Sequence, residues 1–253
     1  MSTPNWTQRF VWHDLMSTDA AKSAAFYARL LGWRIEGIPM GGATYHMLFT
    51  EAGPIGGIVE EKAIPMSHWM PYCCVDNVDA SASRVKELGG SVCVPPTDIP
   101  NTGRFCVVGD PQGAYFTLYK GLPESAGADP DLAAHGRVCW NELMTTDLDG
   151  AQRFYSALLG WHPEFMDMGP MGKYHVQMVG ATHAGGIMKN PAPGAPAWWC
   201  VYFMVNDIVK STEQARALGA EVLVNNEEIP NMGRFSMLKD PVGAMVALFQ
   251  NRG

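Results

Sequence analysis

The sequence predicts an α+β fold made by tandem duplication, with four β-α-β-β-β modules paired into two domains. Three observations carry this reading. The first is repetition between halves. Phe10-Val-Trp-His-Asp-Leu-Met-Ser-Thr-Asp19 returns as Val138-Cys-Trp-Asn-Glu-Leu-Met-Thr-Thr-Asp147, and Phe26-Tyr27…Leu30-Leu-Gly-Trp33 returns as Phe154-Tyr155…Leu158-Leu-Gly-Trp161. Ile99-Pro-Asn-Thr-Gly-Arg-Phe105 and Asp110-Pro-Gln-Gly-Ala114 recur as Ile229-Pro-Asn-Met-Gly-Arg-Phe235 and Asp240-Pro-Val-Gly-Ala244. The second is a weaker repetition inside each half, where an alternating segment gives way to a helical period and then to short β-like runs. The third is the repeat length, far beyond that of a solenoid unit or propeller blade, which makes this a duplicated domain and not an array.

Taken in order, residues 10–16 alternate like a strand. Thr18-Asp19 then offers a helix cap, Phe26, Tyr27, Leu30 and Leu31 recur at helical spacing, and Gly32 stands where a helix stop belongs. Strands are expected near 33–38, 43–50 and 54–60, punctuated by Gly41-Gly42 and Gly53-Pro54. From Trp69 the pattern restarts with a strand through Val75, a helix over 79–88 closed by Gly89-Gly90, and strands near 91–96, 104–109 and 114–119. Asp110-Pro111-Gln112-Gly113 fits a type I turn between the last two. The polar, breaker-rich stretch 121–136 reads as a linker. It separates a first domain, 1–120 (modules about 10–62 and 68–120), from a second, 137–253 (modules about 138–190 and 198–250), and each half is expected to carry its own core.

Composition excludes several roles. Net charge is −7, from 18 Lys+Arg against 25 Asp+Glu, and no basic run is present, so nucleic acid is not an expected partner. The N-terminus lacks the basic start and apolar core of a secretory signal, and no stretch has the length of a membrane span, so no membrane partner and a cytoplasmic location are expected. Cys73, Cys74, Cys93, Cys106, Cys139 and Cys200 show no metal-finger spacing and read as buried, reduced thiols.

The alternating strand leading into Thr-Asp, the Phe-Tyr…Leu-Leu-Gly-Trp segment and the terminal Asp-Pro-x-Gly turn resemble the vicinal oxygen chelate superfamily. It includes glyoxalase I, fosfomycin- and bleomycin-resistance proteins and extradiol dioxygenases. The resemblance spans about 10–120 and 138–250 and is greatest to tandem glyoxalase-like members. It implies metal ligands at three places per half. Here those places hold Trp12, Met70 and Thr117 in one half and Trp140, Cys200 and Ala247 in the other. Trp and Ala offer a divalent ion no lone pair, so the chain reads as a metal-free branch, with no metal site and no cofactor expected.

Strand alternation places residues two apart on one face. From the implied ligand positions this collects Trp12, Asp14, Met16, Met70, Tyr72, Cys74, Tyr115, Thr117 and Tyr119 in one half, and Trp140, Glu142, Met144, Cys200, Tyr202, Met204, Met245, Ala247 and Phe249 in the other. Asp14 and Glu142 are candidate catalytic groups, since a carboxylate among rings and sulfur has a raised pKa; alternatively each acid anchors its strand. Arg104 and Arg234 are candidates to neutralise those acids or clamp an anionic ligand, or else belong to a structural turn whose Asn and Gly tolerate positive φ. In Tyr45-His46 and Tyr174-His175 only one member of each pair faces the pocket, and the histidines read as structural. Cys74 and Cys200 lack an activating neighbour.

The expected function is binding of an apolar or aromatic metabolite or antibiotic, without metal, by a monomer or homodimer. The candidate ligand-binding residues are Trp12, Tyr72, Cys74, Arg104, Tyr115, Thr117, Trp140, Tyr202, Met204, Arg234 and Met245. An alternative is a metal-free lyase, isomerase or hydrolase with Asp14 or Glu142 as base. A third is a metal-dependent glyoxalase or dioxygenase with displaced ligands.

Overall fold

The computed structural model describes residues 6–122, 132–167, 173–192 and 194–252. Most of the expected linker, 123–131, therefore lies outside the described residues. In the first half the order is β1 (Phe10–Ser17), α1 (Ala20–Leu31), β2 (Arg34–Met40), β3 (Ala43–Thr50), β4 (Gly53–Glu60), β5 (His68–Cys74), α2 (Val78–Glu87), β6 (Ser91–Ile99), β7 (Gly103–Gly109) and β8 (Tyr115–Gly121). The second repeats it as β9 (Val138–Thr145), α3 (Leu148–Leu159), β10 (His162–Asp167), β11 (Lys173–Val179), β12 (Thr182–Lys189), β13 (Trp198–Met204), α4 (Ile208–Ala217), β14 (Glu221–Ile229), β15 (Gly233–Lys239) and β16 (Met245–Asn251). Each half forms one eight-stranded sheet, ordered β2-β3-β4-β1-β5-β8-β7-β6 and β10-β11-β12-β9-β13-β16-β15-β14.

The repeated residues explain the helix ends. Asp19 and Asp147 accept hydrogen bonds from the Lys22 and Gly150 amides (2.9 and 3.0 Å), satisfying donors that have no partner within the helix. Gly32 and Gly160 end the same helices at φ 69° and 68°, where a side chain would be strained. In Asp110-Pro-Gln-Gly the Gly113 amide bonds the Asp110 carbonyl (3.0 Å), closing the expected turn.

The packing corrects the expectation that each half holds its own core. The chain divides into two compact units, and each takes one module from each half: Met1–Trp12, Pro71–Asp129 and Asn141–Trp199 in one, His13–Met70, Pro130–Trp140 and Cys200–Gly253 in the other. One core joins Leu15, Phe26, Tyr27 and Trp33 to Val201, Phe203, Val246 and Leu248; its counterpart joins Val78, Val85, Phe116 and Leu118 to Phe154, Tyr155 and Trp161. The boundaries 1–120 and 137–253 thus describe which strands share a sheet, and burial follows a different division.

The same buried constellation closes each core. Tyr27 stacks on Trp33 (5.3 Å), receives a hydrogen bond from Trp69 Nε1 (3.1 Å) and donates to Asp240 Oδ2 (2.9 Å). Tyr155 stacks on Trp161 (5.5 Å), receives from Trp199 Nε1 (3.1 Å) and donates to Asp110 Oδ2 (3.1 Å). The other oxygen of each Asp accepts two turn amides, from Val242 and Ala244 or from Gln112 and Ala114. The recurrent Phe-Tyr and Asp-Pro-x-Gly motifs are therefore two ends of one buried contact. Burial pushes both phenols and both carboxyls up from their usual ranges.

Candidate functional site

Asp14 and Glu142 sit on the sheet face turned away from the helices, because their neighbours Leu15 and Leu143 fill the cores. Both acids are buried, at 4% and 6% exposure. Asp14 lies opposite Gly57 on β4, and the Tyr45 hydroxyl donates to its Oδ1 at 2.8 Å. Tyr45 is thus the member of the Tyr45-His46 pair that faces the acid, and His46 pairs with Ile58 on the core side. In the second half Glu142 pairs with Gly186, and Tyr174 lies on the same face as Val176, the partner of Gly186. His175 turns to the core side, where its Nδ1 bonds Gln152 Oε1 (3.0 Å), the structural role expected of it.

Further along the first sheet, Tyr72 pairs with Thr117, and Val107 flanks Thr117 on the other side. Tyr72 and Tyr119 meet edge to face at 6.0 Å. Thr117 is fully buried, and its hydroxyl has no hydrogen-bond partner among the described residues. Tyr115 stands at the exposed end of this strand at 49%. Cys74 is partly buried, and its thiol is held up by burial, with Lys120 opposing and Asp76 reinforcing, so it is not poised as a thiolate. In the second sheet Tyr202 pairs with Ala247 and Met204 with Phe249, while Met245 ends the strand. Tyr202 and Met204 are buried, Met245 is partly buried, and Cys139 Sγ lies 3.4 Å from the Tyr202 carbonyl. Trp12 and Trp140 are both half-buried.

Strand parity turns both candidate arginines away from the acids. Arg104 shares its face with Cys106 and Val108, which belong to the core against α2, whereas Val107 is the residue that faces Thr117. Its guanidinium instead bonds Asp79 at 2.8 Å through Nε and Asp98 at 2.7 Å. The Arg104 side chain holds the Asp79 carboxyl below its usual value. Arg234 likewise shares a face with Ser236 and Leu238 and bonds the Asn226 side chain and carbonyl (2.6 and 2.7 Å), lining an open groove of about 280 Å³ with Arg252 and Glu228. Asn101 and Asn231 adopt φ 58° and 64°, so Pro-Asn-x-Gly-Arg is a hairpin turn in both copies. Cys93 is also corrected: it is exposed on the edge strand β6, while Cys73, Cys106 and Cys200 are buried.

The positions at which the family resemblance implies metal ligands carry indole, thioether, hydroxyl, thiol and methyl groups, and this donor set does not suit a hard or borderline divalent ion. Among the described residues no three His, Cys, Asp or Glu side chains are grouped to hold one.

Paired β-α-β-β-β modules forming two eight-stranded sheets define the glyoxalase-like class of fold. The chain belongs to the Glyoxalase/Bleomycin resistance protein/Dioxygenase superfamily, whose family model matches residues 9–118 and again 137–248. It is 34% identical to the Mycobacterium bovis protein CFP32, provisionally described as a glyoxylase, over 98% of this chain and 94% of the relative. It is 32% identical to the anthracycline biosynthesis protein DnrV of Streptomyces peucetius, over 95% and 92%. Among solved structures, the 2,3-dioxygenase LapB from Pseudomonas sp. KL28 superposes with a TM-score of 0.67 at 14% identity, covering 98% of this chain and 94% of that one. A Mn(II)-bound glyoxalase from Novosphingobium aromaticivorans gives 0.66 at 14%, covering 96% and 82%. At that identity the likeness concerns the fold alone.

Proposed function

We propose that the protein binds a small, flat, largely aromatic metabolite or antibiotic carrying at least one hydroxyl or keto oxygen, and does so without metal or cofactor. The observation that carries this reading is Thr117. A buried hydroxyl with no partner among the described residues costs about 1–3 kcal/mol, and a polar atom on a ligand that displaces the side chains covering it, beside Tyr72, would recover that cost. The Tyr72 and Tyr119 rings supply stacking surface beside it, and Asp14 and Glu142, each within its own unit, supply acceptors for ligand hydroxyls. Similarity to proteins named for anthracycline biosynthesis supports the same chemistry, because anthracyclines are flat, hydroxylated aromatic compounds. Trp12, Tyr72, Cys74, Thr117, Trp140, Tyr202, Met204 and Met245 are the proposed contacts, with Tyr115 at the rim. The protein acts in the cytoplasm as a monomer or homodimer, with neither nucleic acid nor membrane as partner.

Native mass spectrometry of the protein as purified, with elemental analysis alongside, tests this directly. The reading expects a retained small molecule, released unchanged, and well under one equivalent of Zn, Ni, Mn or Fe per chain. Stoichiometric metal, with binding lost on chelation, would overturn it.

A second reading is enzymatic, with Asp14 or Glu142 as general base. The Tyr45 hydroxyl on Asp14 favours it, since a phenol bonded to a carboxylate can pass a proton between base and ligand. Asp14→Asn would then cost roughly 100-fold in turnover with the fold intact. A bound compound that every variant releases unchanged would exclude the enzymatic reading.

A further inference from the structure

We infer that Gly57 is a positioning residue for Asp14, and that Gly186 serves Glu142 in the same way. The inference rests on the proposed ligand-facing role of the two acids. Tyr45 belongs to β3, Asp14 to β1, and β4 lies between them in the sheet. By register Tyr45 pairs with Val59, and the residue opposite Gly57 is Met47. To bond Asp14 the ring must therefore lean back by two residues and cross β4 at Gly57, which is itself the partner of Asp14. A Cβ on Gly57 would overlap Cζ, Cε2 and the hydroxyl oxygen of Tyr45. The bare glycine is thus a slot in the strand, filled by a ring from one neighbour so that its hydroxyl reaches the acid on the other.

The adjacent glycine shows that this is a side-chain effect. A Cβ on Gly56 would instead meet the His13 backbone carbonyl, so Gly56 answers to main-chain packing. The second half repeats the main-chain contact and the strand register. Gly185 faces the Asn141 carbonyl as Gly56 faces that of His13. Gly186 is the partner of Glu142 and of Val176, two residues beyond Tyr174, as Gly57 is the partner of Asp14 and of Met47, two residues beyond Tyr45. The repeated element is a tyrosine, a glycine and an acid on three adjacent strands. The longer Glu142 side chain moves its carboxylate by about one bond length, which fits the two copies to different ligand groups.

The test uses the full chain carrying 3-fluorotyrosine and 1,4-dihydroxyanthraquinone as the binding probe. The Tyr45 fluorine resonance is assigned by its absence in Tyr45→Phe. Gly57→Ala should move that resonance and weaken probe binding about tenfold, as Tyr45→Phe does, since each removes the same hydrogen bond. Tyr45→Ala combined with Gly57→Ala should melt higher than Gly57→Ala alone, because removing the ring makes room for the new methyl group. Gly186→Ala should move the Tyr174 resonance in the same manner. A Tyr45 resonance unchanged in Gly57→Ala, or a double variant that melts no higher than Gly57→Ala, would overturn the inference. A moved resonance with probe binding unchanged in every variant would sink the ligand reading and leave the positioning of Asp14 by Gly57 standing.

Discussion

Ala24 of α1 with Leu48 of β3, and Gln152 of α3 with Gln177 of β11, occupy the same places in the repeat but build them differently. In the first, Leu48 is fully buried and Ala24 packs against its cluster. In the second, the equivalent residues are Gln177, also fully buried, and Gln152. These two amides exchange hydrogen bonds at 3.0 and 2.8 Å, and Gln152 also bonds Ser156 and accepts from His175. The polar cluster satisfies itself, so it can replace apolar packing at little net cost, but no member can be removed alone without orphaning another. Burial lowers the His175 pKa, with Asp149 opposing and Lys173 reinforcing, which keeps the ring neutral within the cluster. The two copies thus separate what the fold requires, the capped helices and the Tyr–Trp–Asp contact, from what it only tolerates.

The largest effects should come from the shared part. Trp33→Ala and Trp161→Ala each remove a nearly inaccessible ring stacked on a tyrosine, and each should lower stability by about 3–5 kcal/mol in urea unfolding. A cost under 1 kcal/mol for either would show that the stacked constellation does not hold the core.

Next comes the part that differs. Leu48→Ala should cost about 2–5 kcal/mol by leaving a cavity. Gln177→Ala should cost about 1–3 kcal/mol by stripping Gln152 of its partner. Rebuilding the second copy in the image of the first, with Gln152→Ala and Gln177→Leu together, should recover only part of that loss, because His175 and Ser156 then lose Gln152 as partner. If the double variant is as unstable as the single one, the two sites are not equivalent in packing.

Asp110→Asn and Asp240→Asn should each cost about 1–3 kcal/mol, because the buried tyrosine then faces an amide donor where it needs an acceptor. The effect carries a pH signature. Burial raises both carboxyls, so the folded state holds their protons more tightly than the unfolded chain. That contribution to stability is complete below the ordinary aspartate value of about 3.9 and is lost as pH rises through the raised folded value. The penalty of each amide should therefore be largest in acid and shrink as pH rises, and a penalty that grows with pH would contradict the burial assigned here.

The smallest effects belong to the arginines. Arg104 makes exposed ion pairs with Asp79 and Asp98, so Arg104→Ala should cost under about 1 kcal/mol and leave ligand affinity unchanged. Lost affinity would return Arg104 to the binding site.

These comparisons also show what the sequence could reveal. Helix caps, Gly32 and Gly160, and the Asp-Pro-x-Gly turns are local signals, so the elements were legible to within a few residues. Core pairing was not, because Tyr27 meets Asp240 and Tyr155 meets Asp110 across the halves, and no periodicity encodes such a contact. The sequence alone sets Arg104 and Arg234 beside the acids, because a motif does not state its parity; only the pairing of Val107 with Thr117 shows which residues share a face. Tyr45 was recognisable as one of two alternatives, and the recurrent Gly56-Gly57 and Gly185-Gly186 pairs were the available signal that a side chain crosses the strand.

The proposed function needs an oxygen-bearing aromatic ligand to bind without metal at Asp14, Glu142 or the Thr117 hydroxyl. Its most direct test is a fluorescence titration of 1,4-dihydroxyanthraquinone against protein dialysed with EDTA, comparing wild type with Asp14→Asn, Glu142→Gln and Thr117→Val. The account predicts saturable binding unaffected by the chelator and weakened about tenfold by at least one acid variant and by Thr117→Val, with each variant folded. Binding that vanishes with EDTA and returns with added metal, or that is indifferent to all three substitutions, would contradict it.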